Sequence, residues 1–388
     1  MANILDYLDW RGDLSFDAAP MNEVDSFIIA KIGCPDYTGL IPENSDSVYL
    51  CDAVEAYFAR GEADNLGLLA APLELPMLRR LAETPRFSHL LLTRFVTHMD
   101  LAKNEQYSAL TVRLPDGTRY ITFRGTDDTL VSWKENFLMT VEQRVHAQTD
   151  AAAYLLEEAR SAPGKFYIGG HSKGGNLAVY AAMHAPEDIQ ERSIGVYSYD
   201  GPGFRTSILD DPRYVPIRDR VVTICPQRSI VGMLMHQETR LTIVESDAYG
   251  IGAHDGFTWQ VRGTQFVRCD ELSRSSRAVR ASALSLLESL SDEEKREAIE
   301  GLFGLLSDVG AERLNDLNEQ RLRKLVELAR GMRSSPAVSS VLSEMIEGVV
   351  HEYIDDMKDD VKDGLKGTLK IGLQKTKSLK HLRIKRRE

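Results

Sequence analysis

Apolar residues recur at helical spacing in the first part of the chain and condense into short apolar runs further on. Residues 22–31 (Asn-Glu-Val-Asp-Ser-Phe-Ile-Ile-Ala-Lys) and 46–58 carry apolar side chains three and four positions apart, and each predicts an amphipathic helix. Residues 76–82 predict another, begun by Pro76. The first hundred residues thus read as mostly helical. Strands begin near Ser108, where residues 109–114 and 119–123 flank Pro115-Asp116-Gly117, a hairpin turn. From there the pattern alternates: helices at 130–140 and 151–161, a strand at 166–170, a helix to about His184, then strands at 194–199, 221–225 and 240–244. Strand alternating with helix predicts an α/β fold, a largely parallel sheet with helices on both faces.

The character changes after Cys269. From 273 to about 363 no strand pattern recurs. Ser291-Asp-Glu-Glu294 is a capping box that opens an apolar-spaced helix over 298–306, broken at Val309-Gly310. Further helices are predicted at 319–331 and 338–357, separated by Ser334-Ser-Pro336. The expected division is a main domain over 1–268 with its core at 90–262, a helical appendix over 269–365, and a tail over 366–388 in which lysines and arginines alternate with leucines and isoleucines.

The chain has 388 residues, 43% of them hydrophobic and 27% charged, an ordinary globular composition. A net charge of −11 argues against bulk nucleic-acid binding. Against that acidic body the basic tail is a sharp asymmetry, and it reads either as a surface for an anionic membrane or polyanion, or as a solvated terminus. Cys34, Cys51, Cys225 and Cys269 show no C-x-x-C spacing, so neither a zinc site nor a disulfide framework is expected, and a reducing cytosol suits them. The first residues lack the basic start and unbroken apolar stretch of a signal peptide, and no run of 18 or more apolar residues occurs. A cytoplasmic location is therefore expected, with the tail as the one route to peripheral membrane contact.

The richest segment is Phe166-Tyr-Ile-Gly-Gly-His-Ser172-Lys-Gly-Gly-Asn-Leu-Ala178. It predicts a strand, a glycine corner and a helix, with Ser172 inside Gly170-His171-Ser172-Lys173-Gly174. This is the G-x-S-x-G nucleophile elbow, whose tight turn leaves no room for side chains at the flanking positions and lifts the hydroxyl to the sheet's C-terminal edge. The bare pattern is weak; the strand before it and the helix after it are its context. The helix N-terminus also points backbone N–H groups at any negative charge forming beside Ser172.

A serine nucleophile needs a base. His184 lies about three turns along the elbow helix and cannot reach back. His236 precedes a strand. His254 follows the last predicted strand in a glycine-rich loop, the place where the base belongs. For the carboxylate that would orient it, Asp200 at the tip of the strand after the elbow strand is the first candidate, with Asp247 and Asp255 as competitors. An oxyanion hole needs two donors: the backbone N–H of Lys173, and Thr126 in Phe123-Arg-Gly-Thr-Asp127, where a strand ends and a helix begins near Ser132.

Thr122-Phe-Arg-Gly-Thr126 followed by Trp133, then Gly170-His-Ser-Lys-Gly174, then His254 close to Trp259, resemble the class 3 lipase family. Ser172-Lys-Gly-Gly-Asn-Leu-Ala178 is similar to a related lipase-like bacterial family of unknown function. The resemblance covers roughly residues 90–262. It implies an α/β-hydrolase fold and hydrolysis of carboxylic esters, lipid or acyl esters above all, by Ser172 and His254 with an oxyanion hole at Thr126, needing no metal or cofactor. One position departs from the pattern: where class 3 lipases carry their acid after the next strand, this chain has Ser229-Ile-Val-Gly232, while Tyr199-Asp200-Gly-Pro resembles the earlier acid position of the pancreatic-lipase group. The alternative is a hydrolase-fold scaffold, weak or inactive as a catalyst, that docks to a membrane or partner through its helical appendix and basic tail.

Overall fold

A computed structural model describes residues 2–44, 46–61, 73–237, 241–313, 316 and 324. The chain divides into two compact units, Met1–Ile299 with Ala311–Asp316, and Glu300–Gly310 with Leu317–Glu388. The helices expected at 319–331 and 338–357 and the basic tail lie outside the described residues.

The first unit opens with helices α1 (Ile4–Arg11) and α2 (Glu23–Ile32), each begun by an asparagine capping box, Asn3 with Asp6 and Asn22 with Asp25. A two-residue strand β1 (Val48–Tyr49) leads into α3 (Leu50–Ala59), and α4 (Glu74–Glu83) follows. Strands β2 (Leu91–Asp100), β3 (Glu105–Arg113) and β4 (Arg119–Phe123) form an antiparallel meander. Then come α5 (Leu130–Leu138), α6 (His146–Ser161), β5 (Phe166–His171), α7 (Lys173–His184), the short α8 (Glu187–Gln190), β6 (Ser193–Tyr199), β7 (Val221–Pro226) and β8 (Leu241–Val244). A small hairpin, β9 (Val261–Arg262) with β10 (Gln265–Phe266), precedes α9 (Arg274–Ser289) and α10 (Asp292–Asp308).

The eight-stranded sheet runs in order β1 to β8, antiparallel up to β4 and parallel from β4 to β8. Side chains alternate faces along each strand. Ile121, Phe123, Ile168 and Val196 join one core with Ala151, Leu155, Leu177 and Ala181 of α6 and α7. Tyr120 and Tyr199 point to the other core, shared with α1 to α4, Trp259 and Phe266. This is an α/β fold: a mostly parallel sheet covered on both faces, with a strand-to-helix corner at its centre.

Several elements differ from the expected ones. Residues 91–100 form a long strand ahead of the point near Ser108 where strands were expected to begin. A bulge between Thr93 and Val96, with Arg94 at φ 54°, puts the two halves of the alternation out of phase and hides the period from the sequence. β3 accordingly begins at Glu105 rather than near Ser108. Residues 48–49 pair with Leu92 and Leu91 before the helix starts at Leu50. Helix α4 starts two residues ahead of Pro76, which is tolerated because N–H groups of the first turn have no intrahelical acceptor. Helix α6 starts at His146, its polar first turn offering no apolar signal. The capping box at Ser291 and Glu294 is present in both directions, 2.9 and 3.2 Å, and α10 ends before Gly310 at φ 74°.

The amino-terminal helices are tied together by a buried ion pair. Arg86 donates to Asp25 through Nε at 2.8 Å and a terminal nitrogen at 2.5 Å, both side chains being inaccessible to solvent. Its other terminal nitrogen donates to the carbonyls of Leu14 and Ala19, and Tyr7 donates to Asp25 at 2.7 Å. Removing one partner of such a pair strands the other charge. Asp25→Asn should therefore cost about 3 kcal/mol or more; urea unfolding of the variant and the wild type measures it, and a loss under about 1 kcal/mol, the size of a surface pair, would contradict the assignment.

Candidate active site

The corner between β5 and α7 is built by steric exclusion. Ser172 sits at φ 58° and ψ −132°, a region that L-residues occupy only under constraint. Its N–H donates to the carbonyl of Tyr199 on β6 (2.9 Å), and its own carbonyl accepts from Gly175 (2.9 Å). A Cβ on Gly174 would overlap the carbonyl oxygen of Phe123, and one on Gly170 would stand 2.7 Å from that same oxygen. The end of β4 thus presses against the elbow from below. The following loop also passes close: a Cβ on Gly125 would lie 3.2 Å from the Ser172 Cβ. That approach brings Thr126 to the elbow, where its hydroxyl accepts from the Asn136 amide at 2.7 Å.

Lys173 opens α7, so its N–H has no intrahelical acceptor. Its side chain runs inward instead. Lys173 Nζ donates to the carbonyl of Gln106 (2.6 Å), to Gln106 Oε1 (2.9 Å) and to Glu135 Oε2 (2.9 Å), with lysine and glutamate both buried. This network anchors the start of the elbow helix to β3 and α5.

Asp200 ends β6, beside the end of β5, with φ 46°. It is fully buried and accepts three hydrogen bonds. His254 Nδ1–H donates to Oδ2 at 2.7 Å, while Ser229 Oγ (2.5 Å) and the Gly232 N–H (3.2 Å) donate to Oδ1. Because a carboxylate only accepts, the Asp200 contact places a proton of His254 on Nδ1, so that in the neutral ring the lone pair is on Nε2. That Nε2 is buried and has no hydrogen-bond partner among the described residues. The His254 ring lies 4.4 Å from the ring of His171, the residue directly before Ser172, and His171 Nε2–H donates to the His254 carbonyl at 2.9 Å. The base candidate is thus held against the elbow from two sides.

The remaining candidates lie elsewhere. His184 stacks on Tyr180 and meets Arg213, far along α7. His236 pairs with Phe204 in an isolated bridge. Asp247 accepts from Gln260 (2.6 Å), and Asp255 caps a short turn through the Phe257 N–H (2.9 Å). Burial pushes the Asp255 carboxyl above the usual range.

Sequence reasoning missed the supports of this arrangement. Ser229 and Gly232 belong to the segment noted only for lacking a carboxylate; it supplies two donors to Asp200 instead. Trp259 Nε1–H donates to the Ala253 carbonyl (2.9 Å) and steadies the His254 loop. Phe27 of α2 stands edge-on to His171 and Tyr199 and contacts Trp259, and a Cβ on Gly256 would overlap its ring. A helical apolar stripe carries no mark of which ring it will meet, so only the position of Ser229–Gly232 after β7 was a usable signal.

The chain belongs to the Mbeg1-like family, whose model matches residues 81–304. No curated protein matches it. Among solved structures it is similar to M37 lipase, with 16% identity and a TM-score of 0.33 over 55% of this chain and 74% of that one. It is also similar to the lipase from Rhizopus microsporus var. chinensis, with 13% identity and a TM-score of 0.32 over 58% of this chain and 88% of that one. The matched span of this Mbeg1-like chain contains the elbow, Asp200 and His254.

Burial first, and then the His254 imidazole and the Lys31 ammonium, hold His171 well below the ordinary histidine range. The native state therefore keeps it neutral where the unfolded chain, titrating near pH 6.5, takes up a proton. Stability should be fully present above about pH 6.5 and fall as the pH drops below it, because the unfolded state then binds more protons. Melting temperature against pH should decline less steeply toward pH 5 in His171→Asn than in wild type; parallel curves would exclude His171 as the source.

Proposed function

We propose that this protein is a serine hydrolase of carboxylic esters, lipid or acyl esters in particular, with its chemistry carried by the 1–268 domain. The observation that carries the reading is the buried His254, its Nδ1–H committed to Asp200 at 2.7 Å, its Nε2 without a hydrogen-bond partner among the described residues, and its ring 4.4 Å from that of His171, the residue before Ser172.

In this reading Ser172 Oγ attacks the ester carbonyl while His254 Nε2 takes its proton. Asp200 stabilises the imidazolium and holds the working tautomer. The oxyanion of the tetrahedral intermediate accepts from the N–H of Lys173 and from Thr126, whose hydroxyl is free to donate while it accepts from Asn136. Collapse expels the alkoxide, which receives the proton from His254, and water repeats the sequence on the acyl-enzyme. Ser229 and Gly232 satisfy the second oxygen of Asp200, so the carboxylate is oriented without a carboxylate from the loop after β7. The Lys173–Glu135 pair keeps the lysine head group away from the oxyanion and leaves its backbone N–H to act.

A panel of p-nitrophenyl esters and a fluorophosphonate probe test the reading together. Wild type should hydrolyse at least one ester and become labelled on Ser172. Ser172→Ala should lose both, and Asp200→Asn should lower kcat on the order of 10⁴-fold because the histidine loses its tautomer control. Folded wild-type protein that neither turns over nor labels would end the hydrolase reading, and an unchanged rate in Asp200→Asn would remove Asp200 from it.

A further inference from the structure

A second group of potential ligands stands away from the serine, at the turn end of the β2–β3 hairpin. His98 on β2, Glu105 at the start of β3 and Asp150 on α6 each offer a ligand atom, and these atoms all lie within 4.8 Å of one another. His98 Nδ1 and Asp150 Oδ2 are 3.5 Å apart. Two donors bound to one ion at about 2.1 Å and at the tetrahedral angle lie about 3.4 Å apart, so this pair already has the spacing of a shared ion. His98 and Asp150 are partly exposed, and rotation of their side chains closes the wider gap to Glu105.

Glu105 supplies the independent observation. Its side chain is almost completely buried, and its Oε1 has no hydrogen-bond partner among the described residues. The Asp150 carboxylate, whose ligand atom lies within 4.8 Å, also only accepts. Lys103 stands 4.0 Å from the other Glu105 oxygen, Oε2, and is closer to Asp100, at 3.4 Å. A buried carboxylate oxygen without a donor is costly to leave bare. Either a proton shared with Asp150 or a cation answers it, and an imidazole nitrogen at the same point favours a cation.

We propose that His98, Glu105 and Asp150 bind one divalent transition-metal ion of the zinc or manganese type. One imidazole and two carboxylates suit these borderline ions better than calcium or magnesium, which prefer all-oxygen shells. Water completes the coordination on the exposed side. The ligands come from two strands and a helix, so the ion fastens α6 to the end of the sheet. The role is structural, and it falls next to the elbow's support: Gln106, the residue after Glu105, is an acceptor of the buried Lys173 ammonium.

The test uses the full chain after removal of metals with a chelator. Zinc chloride is followed by isothermal titration calorimetry and manganese chloride by the loss of the free-ion electron paramagnetic resonance signal. One saturable equivalent of at least one of the two ions is expected, with a rise in melting temperature. Glu105→Gln and Asp150→Asn should each weaken that equivalent at least tenfold and abolish the thermal response. Glu105→Gln is the informative variant, because its amide can donate to Asp150 and relieve the bare oxygen without a metal. The proposal is overturned if wild type binds neither ion saturably, or if the equivalent survives in both variants. It is also overturned if Glu105→Gln melts above a wild type that does not respond to metal, which would mean that the carboxylates share a proton.

Discussion

The central constraint is the close approach of β4 to the β5–α7 corner. The Phe123 carbonyl oxygen fills the space where side chains of residues 170 and 174 would project, so the corner exists only because both are glycine. With that space closed, Ser172 is driven to positive φ and its backbone is tied across to Tyr199. The strain is sustained by surrounding structure that leaves the corner no other conformation. The same contact delivers the Gly125–Thr126 loop, so a single packing relation sets both the serine and one oxyanion donor of the proposed chemistry.

Asp200 is a second focus, and it depends on the first. It too lies at positive φ, at the tip of the strand next to the elbow strand. Burial without donors would make this carboxylate expensive, and three donors drawn from two loops remove that cost. The loop after β7 thus contributes two hydrogen-bond donors to Asp200 and no carboxylate of its own.

The amino-terminal helices are part of the site's construction rather than an addition in front of it. Phe27 packs on His171, Tyr199, Trp259 and Phe266, filling the side of the site away from α7. The Arg86–Asp25 pair, bonded also to loop carbonyls, locks α2 in the position that brings Phe27 there. On the opposite face, Lys173 is held by Gln106 and Glu135. The elbow is therefore clamped by aromatic packing on one side and by a buried ion pair on the other.

Local periodicity alone revealed the parallel half of the sheet, the elbow and its helix, because a buried parallel strand and an apolar helix stripe each leave a pattern within a dozen residues. The same locality explains what stayed hidden. The bulge at Arg94 scrambled the alternation of β2, and the polar first turn of α6 carried no apolar mark. For the carboxylate the sequence offered Asp200, Asp247 and Asp255. Only the folded chain separated them, turning Asp247 to Gln260 and Asp255 to its own turn while Asp200 met His254. The sequence by itself determined where the chain must bend and which residues stand at strand ends. The tertiary structure decided which of them face each other, because a hydrogen bond across 54 residues depends on strand order and loop return, and neither is written in any local stretch of the chain.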